Sequence, residues 1–255
     1  MYEAVHAYPD GDSTVARFAE TAARMGYDGI VVRTRAATSD PGSNVSSDLE
    51  ALREEYGIDV VAGVEVQSDD RSSASGSVGN FRPEFPVLSV RGGSDGLNRF
   101  AVESDRVDVL SRPTDRGGGF NHVLAKAARE HDVHVEFDLG PVLRESGGKR
   151  VKVLSRLRKL REILDHYDSP YVVSANARSH LELRAPRELC AVGEAIGFSH
   201  EAIRKGLDAW ETITDRNRHR LSDAFVEPGV RLGRYEGPVS DREEYGDREA
   251  GGDSE

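Results

Sequence analysis

Apolar and polar positions along the chain change period again and again. Short β-rich runs of four to eight residues alternate with stretches in which apolar residues return every three or four positions. The runs Tyr2–Ala7, Gly29–Thr34, Val60–Val66, Val87–Val90, Val107–Leu110, Val133–Phe137 and Tyr171–Ser174 are predicted as strands. Between them the pattern predicts helices near Ser13–Met25, Ser46–Tyr56, Gly96–Ser104, Asn121–His131, Val151–Tyr167 and Pro186–Ile196, followed by one near Ser199–Trp210. Strand–helix alternation of this kind builds a parallel sheet wrapped by helices. Seven such units in about 210 residues point to a TIM-barrel-like α/β fold, irregular or incomplete, in a single domain spanning 1–235. Two segments fall outside the pattern. The Ser-, Gly- and Asp-rich stretch 67–86 reads as a long loop at the barrel rim, and 236–255, with eight acids against Arg242 and Arg248, reads as a disordered acidic tail.

No apolar run approaches the roughly 20 residues that a bilayer span needs, and the chain begins directly with a strand-like segment, so a cytoplasmic protein without membrane association is expected. Cys190 is the only cysteine, which removes an intrachain disulfide and a cysteine-based zinc site and fits a buried small hydrophobe. No glycine-rich dinucleotide or triphosphate motif follows the first strand.

The formal net charge of −11 argues against generic nucleic-acid binding. Its make-up changes that inference, because 29 of the 34 cationic residues are arginine and only Lys126, Lys149, Lys152, Lys159 and Lys205 are lysine. An acid-rich, lysine-poor chain resembles the proteins of extreme halophiles, in which the negative total reflects the solvent and not the partner.

In α/β barrels functional groups gather beyond the C-terminal ends of the strands. Here four of seven ends carry arginine: Arg33, Arg91, Arg112 and Arg178. Repeated arginine on one rim points to a polyanion site, because the guanidinium fork bonds phosphate at two points. Gly92-Gly93 and Gly117-Gly118-Gly119 lie beside two of these ends and would let a sugar-phosphate chain approach the backbone. The densest cationic segment is Val142–Arg161, where Arg144, Lys149, Arg150, Lys152, Arg156, Arg158, Lys159 and Arg161 are opposed by Glu145 and no other acid. Within the helix near Val151–Tyr167, Val153, Leu157, Leu160 and Leu164 form a buried stripe, and Lys152, Arg156 and Lys159 form a separate row facing solvent. Next to the loop Ser146-Gly147-Gly148-Lys149-Arg150, that row suits contact with a phosphate backbone.

Hydrolytic chemistry is the competing reading. His6, Glu65, His122, Asp138 and His180 could be placed around a metal, yet none of them shares the tight spacing that metal sites exploit. A Ser174–His180–Asp138 triad lacks a nucleophile elbow around its serine.

The run from Val135 to Phe198, with SANARSHLELRAP as its most specific part, together with GYDGIVVRTR, GVEV and the SRP of the fifth strand, resembles archaeal ribonuclease P protein component 3, counterpart of the eukaryotic thirty-kilodalton subunit, over roughly residues 1–210. The resemblance implies a barrel related to the polymerase and histidinol phosphatase superfamily of metal-dependent phosphoesterases. Where those enzymes carry a His-x-Asp/His-x-His cluster and an Asp-x-His dyad, this chain has His6-Ala7-Tyr8 and Asn176-Ala177-Arg178, with Glu65 retained. The implied function is 5′ maturation of precursor tRNA by a complex whose RNA is the catalyst, and the subunit itself is expected to be non-catalytic. A stand-alone metal-dependent phosphoesterase or nuclease is the alternative. The implied partners are the ribonuclease P RNA, precursor tRNA, a small subunit like an RNA-recognition motif, and the other ribonuclease P proteins. No cofactor is expected on this chain, with Mg²⁺ held by the RNA of the holoenzyme. RNA contacts are expected at Arg33, Arg91, Arg112, Lys149, Arg150, Lys159, Arg178 and His180.

Overall fold

Successive residues of each strand face alternately the surrounding helices and the lumen, and the twisted parallel sheet rolls into a barrel. In the computed structural model, which describes residues 1–35, 45–222, 225–227 and 230–231, the strands are β1 (Tyr2–Val5), β2 (Gly29–Arg35), β3 (Asp59–Val66), β4 (Val87–Arg91), β5 (Val109–Ser111), β6 (His134–Asp138) and β7 (Tyr171–Ser174). They pair in sequence order, each parallel to the next. The helices are α1 (Val15–Met25), α2 (Val45–Tyr56), α3 (Arg71–Phe81), α4 (Asp95–Val102), α5 (His122–Glu130), α6 (Gly140–Arg144), α7 (Gly147–Tyr167), α8 (Pro186–Ile196) and α9 (His200–Leu221). Outward-facing residues such as Ile30, Val64, Leu88, Leu110 and Phe137 pack with the helices into one continuous core.

Among the described residues the barrel has seven strands, and polar groups close the seam between β7 and β1. Val5 bridges Ala177 in parallel, the His6 amide donates to the Ala177 carbonyl at 2.8 Å, and the Ala175 amide donates to the Glu3 carboxyl at 2.8 Å. Burial at this seam pushes the Glu3 carboxyl up to about 8.

The opposite mouth is plugged by α9. Trp210 and Ile213 pack against Tyr2, Ala4, Val31, Val61, Val87, Val109 and Val172, the inward residues at the strand N-termini, and the Trp210 indole donates to the Val173 carbonyl at 2.9 Å. Polar clamps hold the plug. Arg218 bonds both oxygens of Asp59 at 2.6 and 2.8 Å, and Asp108 accepts from Arg216 and Asn217.

Three expectations about elements change. The stretch 67–86 is not a loop: Asp70 caps α3 by accepting from the Ser73 amide, and Ala74, Val78 and Phe81 bury one face at helical spacing. The Ser146–Arg150 loop is the first turn of α7, which starts at Gly147 with Ser146 as its N-cap position. α9 runs eleven residues beyond Trp210 because Ile213, Thr214 and Asn217 continue its buried face.

The chain separates into two units, Met1–Leu221, which holds the barrel, and Ser222–Glu255. In the second, β8 (Phe225–Glu227) pairs antiparallel with β9 (Val230–Arg231). The tail expected to be disordered, 236–255, lies outside the described residues. Among the described residues no helix is long and apolar enough to cross a membrane, and Cys190 is buried.

Candidate RNA-binding surface and the polar lumen

The same alternation that turns Val31 inward at the plug turns Arg33 inward one step higher, above the Trp210 ring, whose centroid lies 5.4 Å from its guanidinium carbon. Arg33 is fully buried. Its two terminal nitrogens grip Glu136 at 2.8 and 3.1 Å, Nη2 also donates to the Asn176 side-chain oxygen Oδ1 at 2.8 Å, and Glu65 lies 3.9 Å away. Around this ion the upper lumen is polar throughout. Ser174 donates to Glu136 at 2.6 Å, Ser111 to Glu65 at 3.1 Å, and the Asn176 amide to Asp138 at 2.9 Å. Arg112 reaches in from the end of β5 and pairs with Asp138 at 3.2 Å. Arg112 and Asn176 both hold left-handed backbone, with φ of 49° and 50°, a conformation costly for arginine and easier for asparagine.

Burial of three acids at this level is balanced by two guanidinium groups. Burial raises the Glu65 carboxyl, but Arg33, His6 and Arg112 together outweigh it and hold it below the ordinary range. Asp138 goes the other way, pushed up by burial against the pull of Arg112. His6 sits with Nδ1 3.1 Å from the Arg33 carbonyl oxygen, and burial, reinforced by the Arg33 charge, takes it down to about 4. A folded-state value below the ordinary 6.5 means that the unfolded chain binds the proton more readily. The neutral ring therefore supports the fold above pH 6.5, and that support is lost as pH falls towards 4. We expect wild-type stability to drop across this window by on the order of 1–3 kcal/mol more than that of His6→Gln, followed by urea unfolding at stepped pH. Parallel slopes for the two proteins would show that His6 takes up its proton in the folded protein as readily as in the unfolded chain.

These contacts revise the rim. The strand ends do not all face solvent. Arg33 is sealed inside the barrel, so its expected RNA contact is withdrawn. Arg112 is 24% exposed and committed to Asp138, and Arg91 is 21% exposed and lies 3.4 Å from Asp115. Each is paired with an acid, Arg112 through Nε and Arg91 through Nη2. The glycine pairs have local reasons as well. A Cβ at Gly92 would strike Asn98, whose side chain ties the Gly93 amide to the Pro113 carbonyl, and one at Gly118 would strike Gly93. The lumen also does not fit a metal: Arg33 already lies between Glu65 and Glu136, and Asn176 supplies an amide where a carboxylate would be needed. Among the described residues no group of three or more His, Cys, Asp or Glu side chains is arranged around a common point. His122 is on α5 beside Tyr167 and His180 is bonded to Ser13, both away from the lumen.

The surface cations lie elsewhere. α7 carries Lys149, Arg150, Lys152, Arg156 and Lys159 exposed to solvent, with Leu157, Leu160 and Leu164 buried beneath. At 21 residues, or about 30 Å, it is more than twice as long as α5, and Val153, Arg156, Leu157 and Leu160 lean over the barrel mouth to enclose about 50 Å³ with Arg112 and Pro113. Arg178 is exposed, although one of its nitrogens bonds the Asp10 carbonyl at 2.6 Å, and His180 is half-buried with Nδ1 2.8 Å from Ser13. The expected contacts therefore split into an outer group of Lys149, Arg150, Lys159, Arg178 and His180 and an inner group of Arg33, Arg91 and Arg112. Sequence reading did not single out Glu136 or Trp210, which hold Arg33 together with Asn176. A lone glutamate inside the apolar strand His-Val-Glu-Phe-Asp was the one signal for it.

Comparison with known proteins places this architecture. Residues 1–222 match the family described as RNase P subunit p30. The ribonuclease P protein component 3 of Halorubrum lacusprofundi is 65% identical over 239 residues, covering 92% of this chain and 99% of its own. That of Natronomonas pharaonis is 56% identical over 244 residues, covering 96% and 100%. In fold the chain is similar to one from an archaeal ribonuclease P solved by cryo-EM with mature tRNA, at a TM-score of 0.79 and 23% identity, covering 93% of this chain and all of that one. The chain therefore belongs to the RNase P subunit p30 family, that of archaeal ribonuclease P protein component 3.

Proposed function

We propose that this chain is a protein subunit of the ribonuclease P that removes 5′ leaders from precursor tRNA, and that it binds RNA through the outer cations of α7 and the Arg178 edge. The observation that carries the reading is family membership over residues 1–222, with 65% identity to a component 3 along nearly that protein's whole length. Internal pairing of Arg33 with Glu136 and of Arg112 with Asp138 supports it, because charges held by buried acids are poorly placed to polarise a phosphate. Catalysis then belongs to the RNA and the Mg²⁺ bound to it, while the protein supplies positive surface and a stiff scaffold. Its protein neighbours are a small subunit like an RNA-recognition motif and the other ribonuclease P proteins, in the cytoplasm.

Reconstitution tests this. The purified chain with Mg²⁺ or Mn²⁺ is expected to leave precursor tRNA uncut, whereas the complex reassembled on ribonuclease P RNA yields the mature 5′ end, more slowly when this chain is omitted. Metal-stimulated cleavage by the chain alone, abolished by His6→Ala or Glu65→Gln, would establish the phosphoesterase alternative instead.

A further inference from the structure

The two most exposed large apolar side chains among the described residues, Tyr8 at 72% and Leu181 at 76%, share one junction. Tyr8 opens the turn after β1, and Leu181 follows His180 in the segment after β7. The two segments are bonded together. The Asp12 amide donates to the Arg178 carbonyl at 2.6 Å, Arg178 returns a bond to the Asp10 carbonyl, and the Ser13 hydroxyl lies 2.8 Å from His180 Nδ1 and accepts from the His180 amide at 3.1 Å.

The turn that carries Tyr8 is built stiffly. The Tyr8 amide donates to the Ser13 carbonyl and the Gly11 amide to the Ala7 carbonyl. Gly11 has no room for a Cβ against the carbonyls of His6 and Arg178, and the buried Asp10 carboxylate accepts from the Arg35 amide at 2.7 Å. The Tyr8 hydroxyl has no partner among the described residues. A fold that fixes the backbone so closely and leaves the ring in water holds a pre-ordered aromatic face, which a ligand can cover with little further loss of freedom.

Arg178 is exposed at this junction with its amide on Glu182 at 2.9 Å, and Arg35 is paired with the buried Asp10 carboxylate at 3.7 Å. Two exposed apolar side chains beside the exposed Arg178 match one nucleobase with its adjoining phosphate. They fall far short of the roughly 800 Å² per partner of a stable protein interface. We infer that Tyr8 is a stacking platform for one unpaired base of the RNA, with Arg178 on the bonded segment placed for the adjoining phosphate. The inference rests on the ribonuclease P reading and gives that RNA surface one base-contacting position.

The test is RNA affinity of the complex reconstituted with the ribonuclease P RNA and remaining protein subunits of Halorubrum lacusprofundi, by filter binding. Because any flat ring can stack, Tyr8→Phe and Tyr8→Trp should bind within about two-fold of wild type, whereas Tyr8→Leu and Tyr8→Ala should bind about ten-fold more weakly. If wild type binds and Leu or Ala binds equally well, stacking is refuted and the ribonuclease P reading stands. If wild type fails to bind, both fall. Assembly of the protein subunits without RNA should be unaffected by Tyr8→Ala, and loss of assembly would assign the junction to a protein and overturn the inference.

Discussion

Arg33→Met is expected to destabilise the barrel by about 3–5 kcal/mol, a large fraction of the stability of a domain of this size. Arg33 cancels the charge of Glu136 through two hydrogen bonds and faces Glu65 at 3.9 Å, all three side chains being buried. Removing it strands two carboxylates in a lumen that water does not replenish, and their desolvation is then uncompensated. Arg33→Lys should restore little, since one ammonium cannot reach both Glu136 oxygens and the Asn176 side-chain oxygen in the fixed fork geometry of a guanidinium. The informative variant is the double change Arg33→Met with Glu136→Leu. Deleting both charges should recover at least half of the loss, although Ser174 then loses its acceptor. Urea unfolding in molar KCl measures all three. A loss below about 1 kcal/mol for Arg33→Met would mean that the pair is not a support of the fold.

The strand–helix order was legible because its signals are local. α8 begins at Pro186, whose missing amide suits a first helical turn, and ends before Gly197, whose φ of 101° closes it, so both bounds follow from residue type. β7 is equally clear, four residues bounded by Pro170 and the turn at Asn176. α3 was obscured by serines and glycines that contribute little apolar signal, although Ala74, Val78 and Phe81 carry its buried face. The lumen was missed for a different reason. A strand-end arginine looks solvated when the strand is read alone. It reads as buried once the inward register is followed along β2 from Val31 to Arg33 and matched with the inward acids Glu65 on β3 and Glu136 and Asp138 on β6. That match is non-local, made between residues up to 103 positions apart, and one-strand periodicity does not contain it. The outer row on α7 is the opposite case. Helical spacing alone separates Lys152, Arg156 and Lys159 from the leucine stripe, and the structure keeps all three in solvent.

The claim that RNA is held by the outer cations of α7 together with the Arg178 edge, and not by the arginines buried in the lumen, leads to the second large effect. At molar salt the Debye length is about 3 Å, so distant cations contribute little and only groups in contact with phosphate matter. Three such contacts, each worth about 1–1.5 kcal/mol, predict that Lys152→Ala/Arg156→Ala/Lys159→Ala weakens RNA binding by about 10²–10³-fold. Exposed positions on a helix whose leucine face is untouched should leave folding intact, verifiable by circular dichroism. Lys126→Ala, an exposed cation on α5 that stacks over Tyr167, is the matched control and should change affinity less than about two-fold. The decisive measurement is the slope of log affinity against log KCl for the reconstituted complex, wild type against the triple variant. Losing three phosphate contacts should make the slope shallower by about two to three, at roughly 0.7–0.9 per phosphate, while Lys126→Ala keeps the wild-type slope. An unchanged slope and affinity in the triple variant would contradict the account and return the RNA contact to another face of the barrel.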